Sequence, residues 1–252
     1  MLTQERQNII RLRLAADGKV VAGQLAEEFR VSEDTVRRDL RDLAAQGLCE
    51  RVYGGAILRA KDAPPLQARQ GQDSTEKRKV AKAAAGLVAA GQVIFIDAGS
   101  TNLLLAQALP RDIELTVVTN APLVANALND HPRASVLLLG GMIDQKRGAA
   151  LGGTTLAAIA DIFADIFFIG TCACDPQSGL TAFDAAEAEV KRAMAAHSAR
   201  LCVAATAEKL GTRAPYRVAE AAAITDLVTS GLAAPGLLTA FERLGVRTLT
   251  AS

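Results

Sequence analysis

The sequence predicts two folded parts, an N-terminal winged helix-turn-helix and a C-terminal α/β domain with a mainly parallel, Rossmann-like sheet. Three observations predict this division. Residues 1–58 are rich in arginine and read as short helices, residues 75–252 alternate apolar strand-like runs with alanine-rich helical stretches, and a Pro-Pro pair lies between them. Proline fixes φ and has no amide hydrogen, so the pair cannot continue a helix. We therefore predict a linker over residues 59–74.

Bulk composition agrees with two domains and excludes some classes of protein. The chain has 252 residues, half of them hydrophobic, and a net charge of +1, so any DNA-binding surface must be a local patch. No apolar run approaches the roughly 18 residues that span a bilayer, and the polar N-terminus has no signal-peptide core. Four cysteines do not make a disulfide framework in a chain of this length. We expect a cytoplasmic protein that does not bind membranes.

The first two helices are predicted from apolar residues at helical spacing. Residues 3–15 carry Ile10 and Leu14 on one face, and residues 22–30 carry Leu25 on the corresponding face. Both faces are expected to form the core of the small domain.

The third helix is predicted to be the one that reads DNA. Ser32 is a good N-cap residue, and Val36 and Leu40 define a buried face. Its outward face carries three arginines: Arg37, Arg38 and Arg41. Arginine suits both phosphate contacts and bidentate contacts to guanine. Two short helices joined by a tight turn form a helix-turn-helix, whose second helix enters the major groove.

A β-hairpin, the wing, is predicted over residues 48–58, after the turn at Gly47. A solvated helical face with ordinary surface arginines is the alternative interpretation. The series of helix, turn, arginine helix and hairpin favours DNA binding.

These residues carry a family resemblance. The motif Ser-x-x-Thr-Val-Arg-Arg-Asp-Leu over residues 32–40, followed by Arg-Val-Tyr-Gly-Gly-Ala over 51–56, resembles the DeoR family of bacterial regulators. The resemblance implies that one set of residues faces DNA: Ser32, Thr35, Arg37, Arg38, Arg41 and Tyr53. Tyr53 stands where histidine is common in the family. Asp39 is expected to pair with a neighbouring arginine instead.

The larger part alternates strands with helices, which indicates a parallel sheet covered by helices. The predicted strands are Val93–Asp97, Leu115–Thr119, Ser135–Leu139, Ile166–Gly170, Leu201–Ala205 and Leu227–Thr229. The predicted helices are 101–109, 121–129, 154–163, 185–198 and 235–244. Ligands of such sheets bind beyond the carboxyl ends of the strands.

Small and polar turns follow several of these strands. Gly99, Ser100 and Thr101 come directly after Asp97 and open a helix, whose N-terminus can bind an anion such as phosphate. Further candidates at the same edge are Thr119, Asn120, Gly140, Gly141 and Gly152. The alternative for each glycine is a turn that needs positive φ.

Three charged residues are further candidates. Glu187 and Lys191 are four apart on a helix, so they form either an ordinary surface pair or a pair at the crevice mouth. Lys209 follows a strand and either meets a phosphate or lies on the surface.

The resemblance extends over this part of the chain as well. Residues 97–101, 118–120, 139–141 and 187–194 resemble the DeoR sensor domain, which is similar to ribose-phosphate isomerases and CoA transferases and binds phosphorylated sugars without converting them. Thr206 stands where aspartate is usual, and residues 171–175 replace a glycine-rich turn, which leaves the ligand's identity open.

The sequence thus predicts a repressor of a carbohydrate or polyol operon. It would bind double-stranded operator DNA as a homo-oligomer, dimer or tetramer, and a phosphorylated sugar would release it. No catalytic residue is expected, because no carboxylate and lysine are spaced for proton transfer and no general base stands out. No cofactor is expected, and no metal either, since Cys172 and Cys174 have no further ligand at metal-binding spacing. The alternatives are a sugar-phosphate isomerase fused to a DNA-binding module, and an activator in place of a repressor.

Overall fold

The computed structural model of the chain describes residues 1–60, 62, 64–66, 68, 75–171 and 173–251. Much of the predicted linker 59–74, and also Cys172, lies outside the described residues.

The N-terminal lobe contains three helices and a small antiparallel sheet. Its elements are α1 (Thr3–Asp17), β1 (Lys19–Val21), α2 (Ala22–Phe29), α3 (Glu33–Ala45), β2 (Cys49–Val52) and β3 (Gly55–Arg59). β3 pairs antiparallel with both β1 and β2. Ile10, Leu25, Val36 and Leu40 are buried together in one apolar cluster. The predicted helices and wing are therefore present, whereas β1 was not predicted because three residues carry no readable period.

The C-terminal lobe is built on a seven-stranded sheet in which every pairing is parallel. Its strands are β4 (Val93–Ile96), β5 (Leu115–Thr119), β6 (Ala134–Leu138), β9 (Ala164–Ile169), β12 (Ser198–Ala204), β15 (Asp226–Ser230) and β16 (Arg247–Ala251). The order across the sheet is β16-β15-β12-β9-β4-β5-β6. The chain moves outward from β4 to β6 and then resumes at β9 on the other side of β4. The carboxyl ends of β4 and β9 are thus the topological switch point, where ligands of such sheets bind.

Helices cover both faces of this sheet. They are α4 (Thr75–Ala85), α5 (Ser100–Gln107), α6 (Pro122–Ala127), α7 (Gly153–Ile159), α8 (Ala185–Ala196) and α9 (Pro235–Glu242). One face packs Phe95 and Phe167 against α8 and α9, and the other packs Ile94 and Phe168 against α4 and α5. Because both faces are buried, the strands are continuous apolar runs rather than alternating ones.

Short strands extend this core. β7 (Met142–Asp144) pairs with β8 (Ala149–Leu151), and β11 (Gly179–Ala182) lies between β10 (Ala173–Asp175) and β14 (Tyr216–Ala219). β13 (Thr212–Arg213) instead pairs parallel with β3 of the N-terminal lobe. The predicted strands and helices are all present with small shifts at their ends, while α4, β16 and the short strands were not predicted from sequence.

In the part of the chain that the structure describes, no helix is long and apolar enough to cross a membrane.

Candidate functional site

The exposed face of α3 is held in position by its N-cap and by a buried ion pair. The Ser32 hydroxyl accepts a hydrogen bond from the Thr35 amide at 3.3 Å and lies 2.9 Å from the Thr35 hydroxyl. Asp39, on the opposite face, accepts from Nε of Arg6 at 2.7 Å and from Nη2 at 3.2 Å. The hydrogen bond to Asp39 raises the pKa of Arg6. Asp39 therefore pairs with an arginine, as expected, but with one from α1.

The arginines predicted to contact DNA project from α3 into solvent. Arg37, Arg38 and Arg41 are exposed, and Arg37 reaches Oε2 of Glu33 at 2.6 Å. Tyr53 lies at the tip of the wing and is fully exposed. The structure thus places these side chains on accessible surfaces of α3 and the wing.

A crevice of about 250 Å³ lies at the topological switch point of the parallel sheet. It is bounded by the residues after β4, from Ala98 to Asn102, by Gly170 and Thr171 after β9, and by Ala204 to Thr206 after β12. The N-terminal turn of α5 opens into it, which presents backbone amides and the Ser100 and Thr101 side chains. Such a turn favours anions.

Charged side chains of both signs line the crevice. Among the described lining residues these are Lys77, Arg147, Lys209, Asp62, Glu187 and Glu208. Lys209 lies 3.9 Å from Glu208. Arg147 reaches Oε2 of Glu187 through Nε at 3.4 Å. These groups can bind a small, polar, charged molecule.

Asp97 and Lys191 form a buried ion pair that supports the crevice and is not among its described lining residues. Lys191 Nζ lies 2.5 Å from Asp97 Oδ2, 2.6 Å from the Gly170 carbonyl oxygen and 3.5 Å from Glu187 Oε1. Asp97 Oδ1 also accepts from Asn102 Nδ2 at 2.8 Å and from the Gly170 amide. Burial raises the pKa of Asp97, and the Lys191 ammonium opposes that shift.

Gly170 is required where the ends of β4 and β9 approach each other. A Cβ at this position would lie 2.4 Å from the Ala98 carbonyl oxygen and 2.8 Å from Asp97 Oδ1. The ion pair and this close approach together fix the backbone around the crevice.

The predicted effector residues fall into two groups. Gly99, Ser100, Thr101, Glu187 and Lys209 line the crevice. The others are not among its described lining residues, and they are Asp97, Thr119, Asn120, Gly140, Gly141, Gly152 and Lys191. Their role in binding stays a prediction.

The polar residues of the second group support neighbouring turns. Thr119 Oγ1 accepts from the Ala121 amide at 3.0 Å. Asn120 Nδ2 donates to the Ala150 carbonyl oxygen at 2.9 Å, which attaches β8 to the end of β5. The Gly140 carbonyl oxygen accepts a hydrogen bond from the Thr155 hydroxyl at 2.7 Å.

Sequence reasoning missed four charged residues of the crevice: Asp62, Lys77, Arg147 and Glu208. Of these, Glu208 alone follows a strand of the parallel sheet, β12. The one signal in sequence was the polar character of the linker and of the β7–β8 turn, which is ordinary for loops.

The surface-pair alternative for Glu187 and Lys191 is excluded, because both are buried. Within the described residues, no group of three or more His, Cys, Asp or Glu side chains is arranged to hold a metal ion. Burial raises the pKa of the Cys174 thiol, which does not favour thiolate ligation.

Two family models match the chain. Residues 6–61 match a DeoR-like helix-turn-helix domain, and residues 72–231 match a DeoR C-terminal sensor domain.

Similar curated proteins are transcriptional regulators by name. The HTH-type transcriptional regulator GlpR of Haloferax volcanii is 34% identical over 234 residues, which is 92% of this chain and 91% of that protein. The glycerol-3-phosphate regulon repressor of Escherichia coli is 33% identical over 84% of each chain. The HTH-type transcriptional regulator GolR of Listeria innocua is 32% identical over 98% of each chain.

Among solved structures, ribose 5-phosphate isomerase A from Neisseria gonorrhoeae is 16% identical, with a TM-score of 0.41 over 54% of this chain and 53% of that one.

Proposed function

The chain belongs to the DeoR family of transcriptional regulators, and we propose that it represses a carbohydrate or polyol operon until a phosphorylated sugar binds in the crevice. It binds double-stranded operator DNA through α3 and the wing. The observation that carries this proposal is the combination of an exposed arginine face on α3 with a charged crevice at the switch point of the sheet.

The DNA contacts follow from the geometry of α3. Ser32, Thr35, Arg37, Arg38 and Arg41 enter the major groove, while Tyr53 at the wing tip contacts the adjacent backbone. The arginines provide phosphate contacts and bidentate contacts to guanine.

The phosphate of the effector binds at the N-terminal turn of α5, close to Lys77, Arg147 and Lys209. Glycerol 3-phosphate is one compound to test, since a relative is named for its regulon. We propose that the crevice binds this class of compound without converting it. Its carboxylates are paired with cations, and Glu187 in particular lies within 3.5 Å of both Arg147 and Lys191, which makes it a poor general base.

A continuous stretch of chain links the crevice to the wing. Lys209 lines the crevice, and its carbonyl oxygen accepts from the Thr212 hydroxyl at 2.8 Å. Thr212 begins β13, which pairs with β3. A ligand that moves Lys209 therefore moves the strand that supports the wing, and it changes DNA affinity by the difference between its affinities for the two states.

The protein acts as a homo-oligomer, a dimer or tetramer, in the cytoplasm, where operator DNA and sugar phosphates are present. One recognition helix reads few base pairs, and two related half-sites need two copies. The edge strand β6 provides a surface for this, because Val136, Leu137, Leu138 and the nearby Met142 are exposed apolar residues on an unprotected edge. We also propose the domain limits 1–58 and 75–252, with the linker 59–74 between them.

A gel-shift assay on DNA from upstream of the protein's own operon tests the proposal, with and without a panel of sugar phosphates. We expect a shifted band that one compound reverses. A folded protein that shifts none of this DNA would contradict the repressor assignment. Turnover of any compound of the panel at enzyme-like rates would contradict the sensor assignment.

A further inference from the structure

The linker places a carboxylate on an arginine of the crevice. Asp62 Oδ1 accepts from Arg147 Nη1 at 2.9 Å, and Asp62 Oδ2 accepts from Lys146 Nζ. The Arg147 side chain is 10% exposed and the Asp62 side chain is 36% exposed. The arginine is therefore nearly buried, and the carboxylate contacts it from the more exposed side. Burial raises the pKa of Asp62, but the hydrogen bonds from Lys146 and Arg147 outweigh that effect and lower it, so Asp62 is charged at neutral pH.

A second contact holds the linker on the same β7–β8 turn. Leu66 is buried, and its amide donates to the Lys146 carbonyl oxygen at 3.0 Å. Gly148 lies beneath it with a φ of +67°, and a Cβ there would lie 2.6 Å from Leu66 Cδ2. The linker is thus attached to this turn at Asp62 and again at Leu66.

The linker is also close to the wing. The Ala60 amide donates to the Arg213 carbonyl oxygen at 3.0 Å, directly after β3 ends. Asp62 follows two residues later. The contact of Asp62 with Arg147 therefore lies two residues from the hydrogen bond that holds the end of β3.

The charges in the crevice show why this carboxylate matters. Three cations and three carboxylates line it among the described residues, so a phosphate that enters adds charge to a balanced site. A phosphate monoester carries about −1.5 to −2 charges at pH 7 and binds guanidinium with the same bidentate geometry as a carboxylate. A phosphate on Arg147 would compete with the Asp62 carboxylate, and the release of Asp62 would offset one of the added negative charges.

We propose that Asp62 is a tethered competitor of the effector phosphate: in the empty crevice it holds Arg147 and keeps the linker docked, and a bound phosphate takes Arg147 and releases the linker. This inference rests on the proposed function, and it adds a second route from the crevice to the DNA-binding lobe, through Asp62 and the linker. The docked state is the one with high operator affinity. Bound phosphate weakens the contact of Asp62 with Arg147, and by linkage that contact weakens phosphate binding by the same factor.

The test uses the full chain and two readouts. The first is the Kd for inorganic phosphate and for glycerol 3-phosphate, measured by calorimetry. The second is the rate of trypsin cleavage in the linker, after Arg59, Lys61 or Arg69. In the wild type, either phosphate compound should speed cleavage. Asp62→Asn should be cleaved quickly without ligand and should bind phosphate on the order of tenfold more tightly.

Two further variants separate competition from simple electrostatics. Arg147→Gln should also be cleaved faster than the wild type, because Asp62 keeps only its contact with Lys146. It should bind phosphate more weakly than the wild type, whereas Asp62→Asn should bind it more tightly. Glu208→Gln removes the same charge from the crevice lining without touching the linker. It should strengthen phosphate binding modestly and leave the cleavage rate unchanged.

The outcomes distinguish the two levels of the proposal. If phosphate binds the wild type and Asp62→Asn equally well, or if it leaves linker cleavage unchanged, the competitor role of Asp62 is wrong and the sensor function stands. If neither compound nor any other sugar phosphate binds the wild type at millimolar concentration, the sensor function fails and the competitor role fails with it.

Discussion

Asp39 lies in the middle of α3, yet its side chain is turned away from the exposed face and buried against Arg6 of α1. The two side chains are only 9% and 2% exposed and form two hydrogen bonds with each other. Removing one partner of a buried pair leaves the other charge without compensation, which is costly. The pair therefore fixes the angle at which α3 presents its arginines.

Replacing Arg6 tests this. Arg6→Ala should lower the free energy of unfolding by about 3 kcal/mol and reduce operator affinity, because α3 loses its anchor. The matched control is Arg13→Ala, which removes an exposed pair with Glu28 whose side chains are 39% and 44% exposed and should cost less than about 1 kcal/mol. Urea melts of both variants give the comparison, and equal losses would contradict an anchoring role for Arg6.

Arg38 is predicted to act on DNA and not on stability, because its side chain is exposed on α3. Arg38→Ala should weaken operator binding by about 1–3 kcal/mol and leave the melting curve of the protein unchanged. Fluorescence anisotropy with labelled operator DNA measures the first effect and circular dichroism the second. A folded variant with wild-type affinity would show that another face of α3 reads the operator.

At the scale of elements, three neighbouring strands are joined by one carboxylate. Asp226 at the start of β15 accepts from Arg200 of β12 at 2.7 Å and from Arg247 of β16 at 2.6 Å. Its side chain is only 2% exposed. Burial raises the pKa of Asp226, but the hydrogen bonds from Arg200, Arg247 and Thr225 outweigh it, so the pKa is lowered. These contacts hold the half of the sheet that carries α9.

The direction of this shift predicts how stability depends on pH. A carboxylate whose pKa is lower in the folded than in the unfolded state stabilises the protein fully above the unfolded value of about 3.9 and loses that contribution as the pH falls through the folded value. Asp226→Asn should therefore be less stable than the wild type at pH 7, by about 1.5–3 kcal/mol. The difference should shrink below about pH 4.

Urea melts between pH 7 and pH 3 measure this difference. Glu114→Gln is the control, because Glu114 is 81% exposed and lies 4.0 Å from Arg133. A loss from Asp226→Asn that is constant across the pH range would mean that its charge does not contribute.

At the scale of the whole molecule, the two lobes are joined by backbone pairing. β13 extends the wing sheet, and Arg213 lies 3.4 Å from Glu50 of β2. Beside this pairing, Gly18 at the end of α1 packs against Gly211, where a Cβ on Gly18 would lie 2.7 Å from the Gly211 carbonyl oxygen. The contact leaves no room for any side chain at residue 18.

A pair of glycines isolates the effect of this contact. Gly18 and Gly47 both have φ of +73°, but nothing lies within 4 Å of a Cβ at Gly47. Either alanine substitution should lower the free energy of unfolding by roughly 1–2 kcal/mol, because alanine disfavours the left-handed backbone conformation. Only Gly18→Ala should also separate β13 from β3. The Ala60 amide, which donates to the Arg213 carbonyl oxygen, reports this pairing. Its hydrogen exchange should become faster in Gly18→Ala and stay unchanged in Gly47→Ala, and equal rates in both would contradict the contact.

The sequence by itself determined the features that depend on local pattern. The N-cap at Ser32, the apolar spacing of Val36 and Leu40 and the outward arginines predict α3 and its exposed face, since helical period and capping act within a few residues. Apolar runs between turns predict the strands of the parallel sheet for the same reason. The turn from Gly99 to Thr101, predicted from its small and polar residues after a strand, lines one wall of the crevice.

Only the tertiary structure decided which of these elements meet. The spacing of apolar residues shows which face of an element is buried but not what packs against it. Lys191 was therefore predicted to be either a surface residue or a ligand contact, whereas it is buried and forms an ion pair with Asp97. Arg147 and Asp62 are 85 positions apart and carry no periodic signal, and their contact exists because the linker folds back onto the β7–β8 turn. The pairing of β13 with β3 likewise joins residues about 150 positions apart, and long-range backbone pairing of this kind leaves no trace in local sequence.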